Sequence, residues 1–390
     1  MAAGDIYKLH LESIAPGGEA IGRFEGKTVF VEGGAPDETV TCRITNEHKT
    51  WARAELLEIN EPSPARIQSA CSFYGKGASG CGGCNLSHID YNAQLAAKEI
   101  ILKDSFLRIG GLEPPVVEVF PSPPWEYRNR MQFHCFRQDE KRKHKDRKFG
   151  LKGKQSEQII AVTDCPVAVP GIRNIFKGDI PVPPEKDRFT VFSKDDVLLS
   201  EGGQSRGKIN LLGREITLDA GVFFQSNCFM LEKLILKLRE ISERACKNSA
   251  MADFYCGAGT FAVFLAGQFP KIICAEENKT AVSIARENLK GVNAEFFALR
   301  DTEWQRAIFH QKKNIGFTVI DPPRSGLNPK LAAVLSAEGS PFLAYVSCDP
   351  ASLARDSKIL TGGGYRLKDL MLFDFYPQTS HIESLAVFQR

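Results

Sequence analysis

The C-terminal part of the chain alternates between helical and extended segments, and this alternation restricts the possible folds more than any other sequence feature. Apolar residues recur with helical spacing from 231 to 241, which predicts an amphipathic helix. Short apolar runs typical of buried strands follow at 251–255, 272–276, 316–321 and 343–347. Because helical segments separate these runs, the sequence predicts an α/β fold with a parallel, doubly wound sheet. The last two runs, at 370–376 and 382–388, predict a closing antiparallel hairpin.

A glycine-containing turn follows the first of these strands. Residues 253–260 read Asp-Phe-Tyr-Cys-Gly-Ala-Gly-Thr, and Gly257 and Gly259 allow the backbone to approach a ligand closely just before the next helix, which Thr260 begins. The next strand ends in Glu276, whose carboxylate could accept both ribose hydroxyls of a nucleoside cofactor. The turn alone does not distinguish such a cofactor from NAD, because Ala262 supplies the third small residue of a dinucleotide fingerprint.

The two later strands end in residues with catalytic chemistry, Asp321 and Cys348. Since ligands of open α/β sheets bind at the carboxyl ends of strands, we expect both residues to reach one crevice. Pro350 suits the first position of a helix, so Cys348 would lie just ahead of a helix N-terminus, which favours its thiolate. Asp349 opposes this effect, and the pattern predicts moderate activation of the thiol. The structural alternative is a buried core cysteine.

A second group of cysteines lies far from this region in the sequence. Cys71 and the pair Cys81 and Cys84 are followed at a distance by Cys165. Four thiolates suit an iron–sulfur cluster or tetrahedral zinc, and the spacing does not choose between them.

The sequence has no recognisable targeting signal and no apolar run long enough to cross a membrane. We therefore expect a cytoplasmic protein with reduced cysteines and no membrane partner.

The chain divides by pattern into three regions. Residues 1–62 alternate apolar and polar positions between glycine-rich turns, which predicts a small β-barrel. Residues 63–221 contain the four cysteines and a hairpin whose tip carries the basic run 141–148, and residues 222–390 form the α/β region. The net charge of +3 neither requires nor excludes nucleic acid, so an RNA surface would be a local patch. The basic run equally suits a solvated hairpin tip.

Taken alone, His381 is interpreted as a structural histidine and Glu383 as a solvated charge at the end of a strand. Five sequence motifs taken together, however, resemble those of one family. In addition to the glycine turn, these motifs are Phe-Phe-Gln-Ser-Asn at 223–227, Asp-Pro-Pro-Arg-Ser-Gly-Leu at 321–327, Ser-Cys-Asp-Pro-Ala-Ser-Leu-Ala-Arg-Asp at 347–356 and Gln-Thr-Ser-His-Ile-Glu at 378–383. Their order and content resemble the RNA (uracil-5-)-methyltransferase family over nearly the whole chain.

This resemblance implies a Rossmann-like class I methyltransferase domain that uses S-adenosylmethionine, with Cys348 as nucleophile and Glu383 as base. The residues that would bind the cofactor or line the target pocket are Gln225, Tyr255, Gly257, Gly259, Thr260, Glu276 and Asp321. Thr260 stands where the family often has Asn. A central domain would hold a [4Fe-4S] cluster, with zinc as the alternative metal, on Cys71, Cys81, Cys84 and Cys165.

The chemistry that the resemblance implies agrees with these residue types. Addition of a thiolate to C6 of uracil makes C5 nucleophilic towards a sulfonium methyl group, and a base must then remove the C5 proton. The uracil must leave its stack to reach such a pocket. The segment 127–130, with two arginines, and the basic run 141–148 would supply positive charge for RNA phosphates.

The first sixty residues resemble the TRAM domain, a small OB-like barrel that binds RNA. This resemblance favours structured RNA, and 23S ribosomal RNA in particular, as the partner. We expect the protein to be monomeric. The resemblance to the methyltransferase family also implies that a helix near 91–110 packs on the catalytic domain. Four alternatives remain at this point: a tRNA uracil-5-methyltransferase, a non-catalytic RNA-binding protein, a small-molecule methyltransferase and a dinucleotide oxidoreductase.

Overall fold

The computed structural model describes residues 1–75, 77–137, 147–154, 157–178, 183, 185–309 and 314–390. The first six positions of the basic run predicted at 141–148 lie outside these residues. None of the helices in the described part of the chain is both long and apolar enough to cross a membrane.

The first sixty residues fold into a closed five-stranded barrel with the strand order β1-β2-β3-β5-β4. Its strands are β1 (Ile6–Ile14), β2 (Ala20–Phe24), β3 (Lys27–Glu32), β4 (Thr39–Glu47) and β5 (Trp51–Glu61). Alternate apolar residues such as Leu11, Val29 and Val31 are fully buried inside the barrel, while their neighbours face outward. The predicted small β-barrel is therefore confirmed.

The next region contains a five-stranded antiparallel sheet with the order β11-β10-β7-β8-β9. The elements in chain order are α1 (Tyr91–Ser105), β6 (Val117–Phe120), β7 (Arg130–Arg137), β8 (Arg147–Lys152), β9 (Ile159–Ile160), α2 (Pro170–Arg173), β10 (Arg188–Lys194), β11 (Val197–Ser200), β12 (Arg206–Leu211) and β13 (Arg214–Asp219). The sheet packs on its own core, in which Phe133, Phe149 and Phe189 contact one another.

The C-terminal region is built around an eight-stranded sheet with the order β16-β15-β14-β17-β18-β20-β19-β6. Its elements are α3 (Cys228–Ser242), β14 (Ala250–Phe254), α4 (Thr260–Leu265), β15 (Ile272–Glu276), α5 (Lys279–Asn288), β16 (Ala294–Ala298), β17 (Ile315–Ile320), α6 (Pro329–Glu338), β18 (Phe342–Ser347), α7 (Pro350–Gly362), β19 (Arg366–Phe373) and β20 (Glu383–Gln389). Strands β14 to β18 run parallel and β20 runs antiparallel to both of its neighbours. The predicted doubly wound sheet with a closing hairpin is confirmed.

Segments that precede residue 222 also belong to this sheet and its surroundings. Strand β6 pairs in parallel with β19, where Val117 lies opposite Leu370. Helix α1 packs on α7, and the turn Phe106–Gly110 that continues α1 brings Gly110 against the carbonyl of Ala354. The hairpin of β12 and β13 contacts α5, since the side chain of Asn288 bonds both backbone groups of Thr217.

A buried ion pair joins α1 to the loop that follows β19. The ammonium of Lys98 lies 2.6 Å from Oδ1 of Asp374 and also donates to the carbonyl of Tyr376 at 3.0 Å. Both charged side chains are fully buried. Burial lowers the pKa of Lys98 and the Asp374 carboxylate raises it, so the ammonium form depends on this partner.

We expect Lys98→Met to lower the free energy of unfolding by about 3–5 kcal/mol, because it leaves the Asp374 carboxylate buried without a cation. The double variant Lys98→Met/Asp374→Asn should recover most of this loss. Urea unfolding followed by circular dichroism measures both. The exposed pair of Lys208 and Glu215 provides the control, and Lys208→Met should cost no more than about 1 kcal/mol. Equal losses at the two lysines would contradict the prediction.

Candidate active site

One cavity lies at the carboxyl ends of β14, β15, β17 and β18 and collects most of the residues predicted from the sequence. Those that line it are Gln225, Tyr255, Gly257, Glu276, Asp321, Cys348 and Glu383. Gly259 and Thr260 are not among its lining residues. Gly259 has a φ of +77°, and a Cβ there would lie 3.1 Å from Cβ of Ala285, so this glycine permits close packing of the turn on α5.

The glycine turn and Glu276 form one end of the cavity. Tyr255 and Gly257 have positive φ angles of 60° and 53°, which turn the backbone sharply after β14. The N–H of Gly257 donates to Glu276 Oε2 at 3.2 Å, and the N–H of Asn278 donates to Oε1 at 2.8 Å. The Tyr255 hydroxyl donates to Asp301 Oδ2 at 2.9 Å. Two carboxylates are thus held in fixed positions, with lone pairs left for a ligand.

Asp321 and Gln225 form a second polar pair deeper in the cavity. Nε2 of Gln225 lies 3.5 Å from Oδ2 of Asp321, and Oε1 of Gln225 is buried without a hydrogen-bond partner among the described residues. Burial raises the pKa of Asp321 to about 7, although the contact with Gln225 opposes this shift. A buried amide oxygen without a partner is costly, which indicates that this wall is shaped for a ligand with a donor group.

Cys348 follows β18, and Asp349 caps α7 by accepting the N–H of Ser352 at 2.7 Å. Burial raises the pKa of the Cys348 thiol to about 12, and the carboxyl groups of Glu383 and Asp321 add to this shift while Arg324 opposes it. The prediction of a moderately activated thiol is therefore wrong for the unliganded protein. The helix N-terminus favours the thiolate too weakly to offset burial beside acidic groups.

Glu383 begins β20 and is buried. Burial raises the pKa of Glu383 well above its usual range, and Asp321 adds to the shift while Arg324 opposes it. Its Oε1 atom has no hydrogen-bond partner in the part of the chain that the structure describes. The cavity therefore combines the Cys348 thiol with two carboxyl groups, those of Asp321 and Glu383, whose raised pKa values favour their protonated forms.

The rim of the cavity carries positive and aromatic groups. Arg128 and Arg130, from the segment predicted to contact phosphates, both line it. The Arg130 guanidinium lies 5.7 Å from the centre of the Phe223 ring, and its Nε is buried without a partner among the described residues. Phe223 itself is 60% exposed. An exposed ring beside a cation is typical of surfaces on which nucleic acid bases stack.

Several lining residues were not predicted from the sequence. Asp301 follows β16, a strand that the sequence interpretation did not include, and the carboxyl end of β16 would have pointed to it. His381, interpreted as structural, lines the cavity together with Tyr376. His381 lies in the motif at 378–383, but its sequence neighbours alone did not distinguish a functional histidine from a structural one.

The loop before Glu383 is held by residues from the N-terminal half of the chain. The side chains of Gln94 and Gln378 bond each other at 3.1 Å, and Oε1 of Gln94 accepts the N–H of Gln378 at 2.9 Å. Asn85 accepts the N–H of Ser380 at 2.8 Å and donates to the carbonyl of Gly17 in the barrel at 2.8 Å. Gln378 is kept in a left-handed conformation with a φ of +68°. Barrel, cysteine loop and active site therefore meet at this loop.

The four predicted metal ligands line one apolar cavity between the cysteine loop and the five-stranded sheet. Burial raises the pKa of Cys84 to about 12 and that of Cys165 to about 11. Cys81 accepts the N–H of Gly83 at 3.4 Å, and Cys71 lies on the wall of the same cavity. The described residues contain no group of three or more His, Cys, Asp or Glu side chains arranged to hold a metal ion.

Comparison with known proteins identifies similar sequences over the whole chain. A family model described as tRNA (Uracil-5-)-methyltransferase matches residues 206–390, and a TRAM domain model matches residues 3–57. An uncharacterized RNA methyltransferase of Treponema denticola is 33% identical and covers 94% of both chains. A 23S rRNA (uracil(1939)-C(5))-methyltransferase of Pseudomonas entomophila is 29% identical over 99% of this chain and 94% of its own length.

A solved structure shares the fold. The Pyrococcus abyssi tRNA (uracil-54, C5)-methyltransferase, in complex with S-adenosyl-L-homocysteine, superposes with a TM-score of 0.74. The match covers 98% of this chain and 100% of the other at 23% identity. The likeness supports the class I methyltransferase architecture of the C-terminal region together with the regions that precede it.

We expect alkylation of Cys348 by iodoacetamide at pH 8 to be at least tenfold slower than that of the exposed Cys246 in the same molecule. A pKa of about 12 leaves roughly a thousandfold less thiolate than the ordinary cysteine value of 9.0 would. Peptide mass spectrometry over time measures both sites. The variant Arg324→Leu should slow Cys348 further, because Arg324 lowers its pKa. Rapid, pH-independent labelling of Cys348 would contradict the prediction.

Proposed function

We propose that this chain, which belongs to the RNA (uracil-5-)-methyltransferase family, forms 5-methyluridine in RNA with S-adenosylmethionine as methyl donor. One observation carries the proposal: Cys348, Glu383 and Asp321 share a single cavity with a glycine turn and Glu276. A thiol, a carboxyl group and a nucleoside-binding edge are the groups that methylation at C5 of uracil requires. Methylation of an exocyclic amine would need no cysteine.

The donor end of the cavity is the glycine turn with Glu276. Its carboxylate oxygens, fixed by two backbone N–H groups, would accept the ribose hydroxyls, and Tyr255 and Asn278 would border the adenosine. Gln225 has a buried oxygen free to accept a donor group of a ligand. When bound, S-adenosylmethionine supplies an electrophilic methyl group on a cationic sulfur.

The first chemical step belongs to Cys348. After its proton passes to solvent water, the Cys348 sulfur forms a bond to C6 of the flipped uracil, and the electrons of the C5–C6 double bond move towards C4, so that O4 carries the negative charge of an enolate. Arg324 favours this step, because it lowers the pKa of Cys348 against the effect of burial and the nearby acids. C5 is then nucleophilic.

The later steps belong to C5 and Glu383. C5 attacks the methyl group in line, forming the new carbon–carbon bond as the carbon–sulfur bond of the donor breaks. The Glu383 carboxylate then removes the C5 proton, the electron pair re-forms the C5–C6 double bond, and the C6–sulfur bond breaks to release Cys348 as thiolate. Arg324 lowers the pKa of Glu383 and so favours the ionised form that accepts this proton.

We propose 23S ribosomal RNA as the substrate. The chain covers 94% of the length of relatives named as 23S rRNA uracil-C5-methyltransferases, and its own residues 3–57 match a TRAM domain, which suits RNA binding. A tRNA substrate is the second candidate, since the similar Pyrococcus abyssi structure is of an enzyme that acts on tRNA. Mapping 5-methyluridine in 23S rRNA and tRNA from cells with and without this protein separates the two.

We further propose that Cys71, Cys81, Cys84 and Cys165 hold a [4Fe-4S] cluster. The four thiols face one apolar cavity, the Gly83 N–H already donates to Cys81 Sγ, and the Arg128 guanidinium lies close enough to lower the pKa of Cys84. These features suit an anionic cluster in a dry environment. Anaerobically purified protein should contain four iron atoms per chain by this proposal, and stoichiometric zinc without iron would contradict it.

The variants Cys348→Ala and Glu383→Gln should both abolish 5-methyluridine formation, but with different products. Cys348→Ala should leave no covalent bond to RNA. Glu383→Gln should accumulate a methylated protein–RNA adduct, because elimination of the cysteine requires removal of the C5 proton. Denaturing gels and mass spectrometry of the adduct measure this. Cys246→Ala, at an exposed cysteine, is the matched control and should remain active. Full methylation by Cys348→Ala would refute the mechanism.

Binding of S-adenosylmethionine at pH 6.5 should release about half a proton, while the uncharged thioether S-adenosylhomocysteine should release much less. The pKa of Asp321 is raised to about 7, so the group is mostly protonated at this pH. A nearby sulfonium lowers that pKa, and the proton leaves. Calorimetry in buffers of different ionisation enthalpy measures the release. Asp321→Asn should reduce it, and equal release with both ligands would contradict the prediction.

A further inference from the structure

His381 has a defined protonation state because of its neighbour Arg324. The Arg324 Nη2 atom lies 3.1 Å from His381 Nδ1. A guanidinium can only donate, so Nδ1 must be the acceptor and the ring proton must reside on Nε2. The histidine is therefore a neutral imidazole with one N–H donor.

The surroundings of His381 keep it neutral at physiological pH. Partial burial, together with the positive charges of Arg324, Arg128 and Lys98, lowers its pKa to about 4. The ring is fixed edge to face against Tyr376, with centres 5.6 Å apart, and its backbone N–H donates to Thr379. In the described part of the chain no group accepts the Nε2 proton. His381 can donate a hydrogen bond but cannot act as a general acid that cycles through the imidazolium.

His381 also lies where the reaction needs a donor. It lines the cavity with Cys348 and Glu383, and the imidazole side chain remains exposed to that cavity. Arg324, its partner, is near enough to both reacting groups to lower the pKa of each. A hydrogen-bond donor that lines the cavity and is backed by a cation is well suited to stabilise an oxyanion that forms during a reaction.

We propose that His381 is a catalytic residue whose Nε2–H donates a hydrogen bond to O4 of the target uracil. This inference rests on the proposed methylation at C5. Addition of the Cys348 sulfur to C6 moves the electrons of the C5–C6 double bond onto O4 through C4, and O2 takes no part in this conjugation. A donor to O4 therefore stabilises the enolate more than the ground-state carbonyl, which accelerates adduct formation.

The test compares His381→Phe, which removes the donor, with His381→Gln, whose amide can still donate. We expect His381→Phe to lower kcat about 10²–10³-fold with KM for RNA changed by less than about threefold, as for loss of an oxyanion donor. His381→Gln should recover at least about tenfold of this loss. Wild-type protein is the control for the proposed function. If wild-type protein forms no 5-methyluridine, the proposed function fails. If wild-type protein is active and only the variants differ in kcat, the result concerns the role of His381.

The substrate provides a second measurement that does not depend on folding of a variant. RNA with 4-thiouridine at the target has a weak acceptor in place of O4, and RNA with 2-thiouridine is the matched control. Wild-type kcat should fall with the 4-thio substrate and change little with the 2-thio substrate. In His381→Phe, the 4-thio substitution should cost much less, because the two changes remove the same contact. If the two losses multiply, or if the 2-thio substitution costs as much as the 4-thio one, the assignment is overturned.

Discussion

The contact between the Lys98 ammonium and the Asp374 carboxylate joins segments 276 residues apart, and the position of the loop before Glu383 depends on it. Two opposite charges that are fully removed from water are stable only as a pair. A shift of α1 relative to the end of β19 would separate them and leave each charge buried without its partner, which is energetically costly. Lys98 also bonds the carbonyl of Tyr376, which lines the cavity. An interaction on one side of the sheet thus determines where the wall of the active site lies.

The same loop is fixed from two further directions. Gln94 bonds both the backbone and the side chain of Gln378, and Tyr127 donates to the carbonyl of Pro377 at 2.8 Å. Asn85, which follows Cys84 in the sequence, bonds Ser380 on one side and the barrel on the other. Residues outside the C-terminal region therefore hold His381 and Glu383 in position. The catalytic geometry is therefore a property of the whole chain, and the cysteine loop is part of the framework that supports it.

Local sequence patterns could predict the sheet and much of the site, but not the contacts that assemble them. Helix–strand alternation predicts the parallel strands, and residues at their carboxyl ends, such as Asp321 and Cys348, then meet by topology. Strand β6 has four residues and no periodicity that assigns it to the edge of a sheet beside β19, where Val117 pairs with Leu370. Lys98 falls at a helical position otherwise occupied by apolar residues, and its burial becomes intelligible only with Asp374 opposite. Asp301 was missed because β16 carries no distinct strand signal.

The least predictable property of the site is its electrostatic state, because it depends on distances between residues from different strands. A cysteine ahead of a helix reads as an activated nucleophile, yet burial beside Glu383 and Asp321 raises the pKa of Cys348 to about 12. Burial also raises the pKa of Asp321 and of Glu383, and Asp321 adds to the shift of Glu383, so the cavity favours the protonated forms of these groups. A further positive charge close to these groups would lower the pKa of each, as Arg324 already does for Cys348 and Glu383. Under the proposed function, ionisation of Cys348 and Glu383 is therefore linked to the presence of a positively charged methyl donor, and the cavity without that donor presents little thiolate to solvent or to RNA.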